Sequence, residues 1–440
     1  MKSSWVLNTL FVFVILVFFF LFVQGKLPSS TKHRQLQALS RKSKPGSKTT
    51  VVFNVLSFGA VGNGITDDSQ AFNKAWDSAC QSKKSALLLV PAKYSFMIQA
   101  TIFRGPCKSR LIFQIDGALM APDGPKAWKQ KNGKLDSWVV FQSITGMSLQ
   151  GDGLIDGRGE KWWNLHKRPE KAISFDFSFE LTIRGVRVEN SPKFHMAFNM
   201  CKNVHVERIS IKAPANSPNT DGIHLEKTNN LKIYNSFISS GDDCISIGTG
   251  CHNVDIRNVT CGPSHGISIG SLGRDKSRAC VSNITVSDSV IKHSTNGVRI
   301  KTWQGGSGAV SKITFQNIKM DTVLNPIIID QFYCLDNMCP NQTSALSISD
   351  VSYKSIRGTY DVSGPPVHIA CSDSVPCRNV TLSGVQLRPA QGKSLLKPFC
   401  WEAYGSIYTH PSSTLPPVSC LLNGPPKKIA KFDVDHHSQC

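Results

Sequence analysis

The chain has no Cys-x-x-Cys pair and no Cys/His cluster at zinc spacing, which excludes the usual structural zinc sites. Beyond residue 23 it has no apolar run that could cross a membrane, and its first 50 residues contain no acidic side chain. The one apolar run, Leu10 to Val23, is 14 residues long, short of the roughly 20 that a span needs. With Lys2 before it and LFVQGK at its end, it reads as a secretory signal cut after Gly25. The alternative is an uncleaved anchor. Residues 26–50 hold seven Lys or Arg and no acid, a composition that cannot build a core and reads as a disordered linker or removable propeptide.

The formal charge is +20. Eight basic residues lie in the first 50, so residues 51–440 keep 42 basic against 30 acidic, or +12. Such a balance favours a polyanionic partner, and for a secreted chain that means acidic polysaccharide rather than nucleic acid. Fourteen cysteines suit an oxidising compartment, with Cys334/Cys339 and Cys371/Cys377 spaced for local disulfides. Sequons at Asn258, Asn283, Asn341 and Asn379 fit the same setting. The signal once removed, no membrane association is expected, and the chain is expected to act as a monomer.

One helix stands out. After Asp67-Asp68, the residues Ala71, Phe72, Ala75, Trp76 and Ala79 recur at spacings of three and four, which predicts an amphipathic helix over 67–80. The two carboxylates are placed to satisfy its free N–H groups. From residue 147 the chain is instead β in pattern. The motifs MSLQGDGL (147), LTIRGV (181), VHVERI (204), LKIYNSFI (231), VDIRNV (254), ITVSDSV (284), ITFQNI (313), LSISDV (346) and VTLSGV (380) recur every 23 to 34 residues. Between them lies a second series, GIHLE, CISIG, GISIG, GVRIK and PIIID. Short alternating strands at this period, with no room for helices, predict an all-β solenoid: a right-handed parallel β-helix over 51–395, capped by the helix. A sandwich or propeller is the rival. Residues 396–440, rich in Pro, Ser and Lys, read as an irregular tail.

In such a coil, equivalent residues stack roughly 4.8 Å apart. Aligning the second series on Ile223, Ile245, Ile267, Val298 and Ile327 places Asp221, Asp243 and His265 in one vertical stack, with Asp242 beside Asp243. Arg299 and Lys301, at odd offsets from Val298, fall on the same outer wall, facing solvent. Three carboxylates, an imidazole and two cations then share one surface. A Ca²⁺ site would use the oxygens, but the cations would repel the ion. Acid/base cleavage of a glycosidic bond needs one protonated and one ionised carboxyl, which crowded carboxylates supply, with Arg299 and Lys301 holding an anionic substrate. No metal or other cofactor is expected.

These motifs resemble the plant-type polygalacturonases, pectin-degrading glycoside hydrolases of family 28. The likeness runs through FNVLSFGAVGNGITDDSQAF, GDGLIDGRGEKWW, SPNTDGIH, GDDCISIG, HGISIGSLG and NGVRIKTWQGG. It implies a right-handed parallel β-helix and metal-free, inverting hydrolysis of α-1,4-linked galacturonan. By the resemblance, Asp242 is the general acid, Asp221 and Asp243 activate water, and His265 supports the acid. Asn219, Arg299, Lys301 and Tyr333 contact substrate, and Cys244–Cys261 is a disulfide beside the site. The sequence departs from the family at Ser264, where Gly-His-Gly is usual. A serine does not freely adopt positive φ, so the loop carrying His265 is expected to sit differently. Alternatives are a pectate lyase cutting by β-elimination, a hydrolase of rhamnogalacturonan, and a pectin-binding protein with little activity.

Overall fold

The computed structural model describes residues 50–129, 137–335, 339–392, 395–409, 420–426 and 440. The signal segment and all but the last residue of the basic segment 26–50 lie outside them. Eleven parallel strands, from Thr101–Arg104 to Phe399–Trp401, form one sheet, and twenty-two more strands form the other faces. One coil comprises Lys202–Glu207, Ser210–Lys212 and Ile223–Glu226. Each pairs in parallel with its counterpart in the next coil, Asn229–Tyr234, Phe237–Ser239 and Ile245–Ile247. The fold is the expected all-β, right-handed parallel β-helix, with three strands per coil.

The sequence allows two or three strands per turn, and the number is three because motifs such as LKIYNSFI contain two. Asn229–Tyr234 and Phe237–Ser239 meet across Asn235, whose φ of 51° turns the corner. Arg208, Asn258, Asp288 and Asn317 repeat that left-handed conformation, which Asn and Asp tolerate because their short polar side chains bond locally. Three sequon asparagines occupy such positive-φ positions. Asn258, Asn283 and Asn379 are exposed, and their Nδ2 groups donate to Asn235 (2.8 Å), Asn253 (2.7 Å) and Asp350 (2.6 Å). Asn341 is exposed and lies outside any strand.

Inside the coil, the anchors Ile223, Ile245, Ile267, Val298 and Ile327 are successive register partners, each at most 1% exposed. Helix α1 (Ser69–Cys80) closes the N-terminal end, burying Phe72 and Trp76. The Trp76 ring lies 4.9 Å from Phe103 and 5.9 Å from Phe141. Only one of the two preceding carboxylates serves the helix. Asp67 accepts from Ser69 N–H at 3.1 Å, whereas Asp68 turns back to the N–H groups of Val61 and Gly62.

The ladder continues past 395, where the composition predicts an irregular tail. Phe399–Trp401 pairs with Val367–Ala370, and Ala403–Tyr408 with Cys377–Ser383. Phe399, Trp401, Tyr404 and Tyr408 are residues that suit strands, and Cys400 is bonded to Cys420. Both disulfides read from spacing are present, with Cys80–Cys107 and Cys280–Cys440 besides. Cys201 and Cys251 are free and buried. Among the described residues no helix is long and apolar enough to cross a membrane.

Phe141, Phe175 and Phe198 stack at 5.1 and 5.0 Å along the core. Phe175→Ala should cost about 3–5 kcal/mol, lowering the denaturant midpoint measured by circular dichroism. An unchanged midpoint would show that this stack does not hold the coils together.

Candidate active site

Four successive strands of the eleven-stranded sheet carry the predicted cluster: Ile223–Glu226, Ile245–Ile247, Ile267–Leu272 and Asn296–Thr302. Asp221 and Asp243 enter the first two in register, with Gly222 N–H donating to Asp243 O at 2.9 Å. Asp242 and Asp243 can stand here because Gly241 precedes them. A Cβ there would lie 1.9 Å from the Ser217 carbonyl oxygen. On the other side Cys244 is bonded to Cys261, both buried, as the resemblance implies.

The side chain of His265 reaches Asp242 rather than Asp243. Its N–H meets Asp242 O at 2.7 Å and its Nδ1 lies 3.1 Å from Asp242 Oδ1. The backbone register of the predicted stack holds through His265, since Ile245 pairs with Ile267, and only the imidazole turns sideways to Asp242. The loop is unstrained at Ser264, which lies outside the positive-φ residues. The left-handed positions fall on its neighbours Gly262 (φ 123°) and Gly266 (φ 80°). The Ser264 hydroxyl accepts from Gly266 N–H at 3.0 Å, a local turn bond that a glycine could not supply.

Arg299 and Lys301 share the aspartate wall, but they are not turned to solvent. Arg299 Nη2 lies 2.8 Å from Asp243 Oδ1 and Lys301 Nζ 2.8 Å from Asp243 Oδ2. Only 8% of the Lys301 side chain and 3% of the Asp243 side chain are exposed. The strands explain this, since Arg299 and Lys301 start one coil beyond His265 and reach back across the Ser268 strand. Arg299 Nε also donates to Ser268 Oγ at 3.0 Å, and Ser268 Oγ to Asp243 Oδ1 at 2.7 Å. Asp242, Asp243 and His265 each offer one donor atom within 4.8 Å of the others, a metal-like spacing. The guanidinium and ammonium on Asp243 would repel a cation placed there.

The carboxylates differ in environment. Burial, then the charges of Asp243 and Asp242, raises the Asp221 carboxyl well above its usual range, and the Ser246 hydroxyl only partly offsets this. At Asp242 burial also acts upward, but the hydrogen bond and charge of His265 outweigh it and the carboxyl is lowered. Asp242 is the more open of the pair, with 20% of its side chain exposed. Asn219 sits at the rim with φ 55° and accepts from Arg168 Nη2 at 2.6 Å. Tyr333 lies at the other end, its ring 5.4 Å from Lys301 Nζ and 5.3 Å from the Trp303 ring.

A wall of carboxylates, imidazole and cations on a parallel β-helix is the setting in which the relatives of this chain can be judged. Residues 80–398 match the profile of Glycosyl hydrolases family 28. The chain belongs to that family. It is 43% identical over 392 residues to a probable polygalacturonase of Arabidopsis thaliana, covering 87% of this chain and 86% of that protein. It is 45% identical over 356 residues to a polygalacturonase of Cryptomeria japonica, covering 78% and 68%. Among solved structures it resembles the endo-xylogalacturonan hydrolase of Aspergillus tubingensis in fold, with TM-score 0.67, 23% identity and coverage of 81% and 100%. The polygalacturonase of Erwinia carotovora ssp. carotovora aligns with TM-score 0.60 at 25% identity, covering 82% and 98%. The protein is a glycoside hydrolase, acting on O-glycosyl bonds.

Sequence reasoning on this glycoside hydrolase missed the residues behind the carboxylates. Ser246 Oγ donates to Asp221 Oδ2 at 2.7 Å and lies 2.8 Å from His224 Nδ1. His195, fully buried, aims both its N–H and its Nδ1 at the Asp221 carbonyl, at 2.9 and 3.0 Å. The signal for the serines was present: Ser246 and Ser268 stand one residue after their anchors, as Arg299 does.

A carboxyl raised in the folded state binds a proton there that the unfolded chain has released. Its stabilising contribution is full below the ordinary value of 3.8 and is lost as pH rises through the raised one. Asp221→Asn should therefore raise the thermal midpoint at pH ~7, with the gain fading toward pH ~4. A gain of equal size at both pH values would show that Asp221 is not the strained carboxyl.

Proposed function

We propose that the protein is a secreted polygalacturonase that hydrolyses α-1,4-galacturonosyl linkages of pectic homogalacturonan with inversion. The observation that carries this reading is the division among the three aspartates. Asp221 has a raised proton affinity, Asp243 is fixed by two cations, and Asp242 is the more open and touches an imidazole. Relatives named polygalacturonase, 40–45% identical, support the substrate class.

In this mechanism Asp242 protonates the leaving glycosidic oxygen while Asp243, paired with Arg299 and Lys301, takes the proton of a water that it and Asp221 hold against the anomeric carbon on the opposite face. In the open cleft Asp242 is held low by His265. An entering galacturonate brings negative charge and excludes water, and both raise the proton affinity of Asp242. His265 Nδ1, 3.1 Å from Asp242 Oδ1, is the side-chain partner that the acid keeps through the reaction. Arg299 and Lys301 each use one N–H on Asp243 and have others for galacturonate carboxylates. Asn219 and Tyr333 bound the sugar path on either side, with Arg168 and Trp303 beside them. Residues 1–25 direct secretion, 26–50 are a linker or propeptide, and the exposed Asn258, Asn283, Asn341 and Asn379 carry glycans. The place of action is the cell wall.

The decisive measurement follows new reducing ends and unsaturated products together on de-esterified polygalacturonate, with and without chelator. Reducing ends alone, indifferent to chelator, are expected. Unsaturated, chelator-sensitive product would mean β-elimination, and no product would leave a binding protein. Asp242→Asn should lower kcat about 10²–10⁴-fold, as expected on losing a general acid, while oligogalacturonate still binds by calorimetry. Retained turnover would remove Asp242 from that role.

A further inference from the structure

Arg299 and Lys301 are ion-paired with Asp243, and Lys193 with Glu170 at 2.9 Å, so the chain itself balances their charge. Arg168 is held differently. Its Nη2 donates to Asn219 Oδ1 at 2.6 Å and its Nη1 to the Trp163 carbonyl at 3.4 Å, both uncharged acceptors. Among the described residues it forms no ion pair. The guanidinium is half-buried. Burial lowers its proton affinity, and the charge of Glu170, itself tied to Lys193, only partly restores it. A guanidinium nonetheless stays charged in a protein. The rim of the cleft therefore holds a cation that lacks a counterion.

The local sequence puts it there. Buried Pro169 follows Arg168 and disfavours a helical backbone at it. Trp163 Nε1 donates to the Ser191 carbonyl at 3.0 Å, tying this loop to the next coil. The strand Lys171–Asp176 then enters the sheet, with Lys171 opposite Phe194. Phe194 stands two residues before Met196 and Asp221 two before Ile223, and Met196 pairs with Ile223. Lys171, Phe194 and Asp221 thus form one column. Arg168 starts two rungs before the coil of Asn219, roughly 10 Å away, and the two side chains bridge that gap along the wall that carries the aspartates.

We propose that Arg168 binds the carboxylate of a galacturonate on the Asn219 side of the three aspartates and sets Asn219 as a donor to the same chain. The inference rests on the polygalacturonase reading above. A guanidinium carries five N–H groups in a fork matched to a carboxylate, and Arg168 uses two of them. The other three can take a substrate carboxylate in charge-assisted bonds, supplying the counterion that the chain does not. Partial burial strengthens such a pair over one in open solvent. Because Arg168 occupies Asn219 Oδ1, the Nδ2 group is the end of that amide left to donate. Arg168 is a binding residue with no part in proton transfer.

The test measures kcat and KM on de-esterified oligogalacturonates at low and high ionic strength. Wild type, Arg168→Gln and Arg168→Lys are compared, each checked for fold by circular dichroism. Arg168→Gln keeps an N–H for Asn219 and loses the charge. Its KM at low salt should rise roughly 10- to 100-fold, the range for a hydrogen bond to a charged group, with the loss in KM rather than kcat. That KM should also respond less to salt than the wild-type value. Arg168→Lys, which keeps the charge without the fork, should fall between the two and retain the salt dependence. An unchanged KM in Arg168→Gln, or a rise that salt does not narrow and Arg168→Lys shares in full, would overturn the contact and leave Arg168 as a support for its loop. Should Arg168→Gln not fold, Arg168→Lys decides: a raised KM with the salt dependence kept supports the contact, and a wild-type KM overturns it. Wild type inactive on de-esterified polygalacturonate would overturn the substrate reading and the proposal with it.

Discussion

The parallel backbone ladder is the constraint on which the molecule depends. Every coil hydrogen-bonds to the next, so residues at one register stand roughly 4.8 Å apart whatever their chemistry. Inside, that spacing suits stacked Ile, Val and Phe, which bury one another. Outside, it leaves like charges no freedom to separate. Asp221 and Asp243 are held as neighbours by the bond from Gly222 N–H to Asp243 O, and the chain must compensate by what it places on adjacent rungs.

That compensation is uneven, and the unevenness gives the site its chemistry. Asp243 receives a guanidinium, an ammonium and a hydroxyl. In a dry setting such a set is stable only when every partner is present, and losing one partner of a buried pair typically costs about 3–5 kcal/mol. Asp221, equally buried, receives one hydroxyl, so its charge is poorly offset and its affinity for a proton rises. Two carboxylates of the same type on adjacent rungs thereby meet different surroundings. Arg299 and Lys301 consequently serve the protein's own aspartate.

Away from the cleft, the corners obey the same geometry with uncharged groups. Asn203, Asn230, Asn253 and Asn283 bond side chain to side chain across successive coils at 2.7–3.1 Å. Each lies at positive φ, a conformation that asparagine tolerates better than most residues. One residue type there satisfies both the bend and the amide.

The sequence by itself determined the coil period, the inward anchors and the wall on which Asp221, Asp242, Asp243, Arg299 and Lys301 fall, because alternation and repeat length are local properties of the chain. It left the choice between two and three strands per turn open, since a corner made by one left-handed residue such as Asn235 leaves no break in the apolar pattern. It also led to an irregular tail where Phe399–Trp401 and Ala403–Tyr408 continue the ladder. Only the tertiary structure decided that His265 belongs to Asp242, that Ser264 needs no positive φ, and that the two cations turn inward to Asp243. These depend on side-chain reach between coils and on burial. Spacing along one chain fixes which wall a residue occupies; which neighbour it touches is set by the coil stacked beside it.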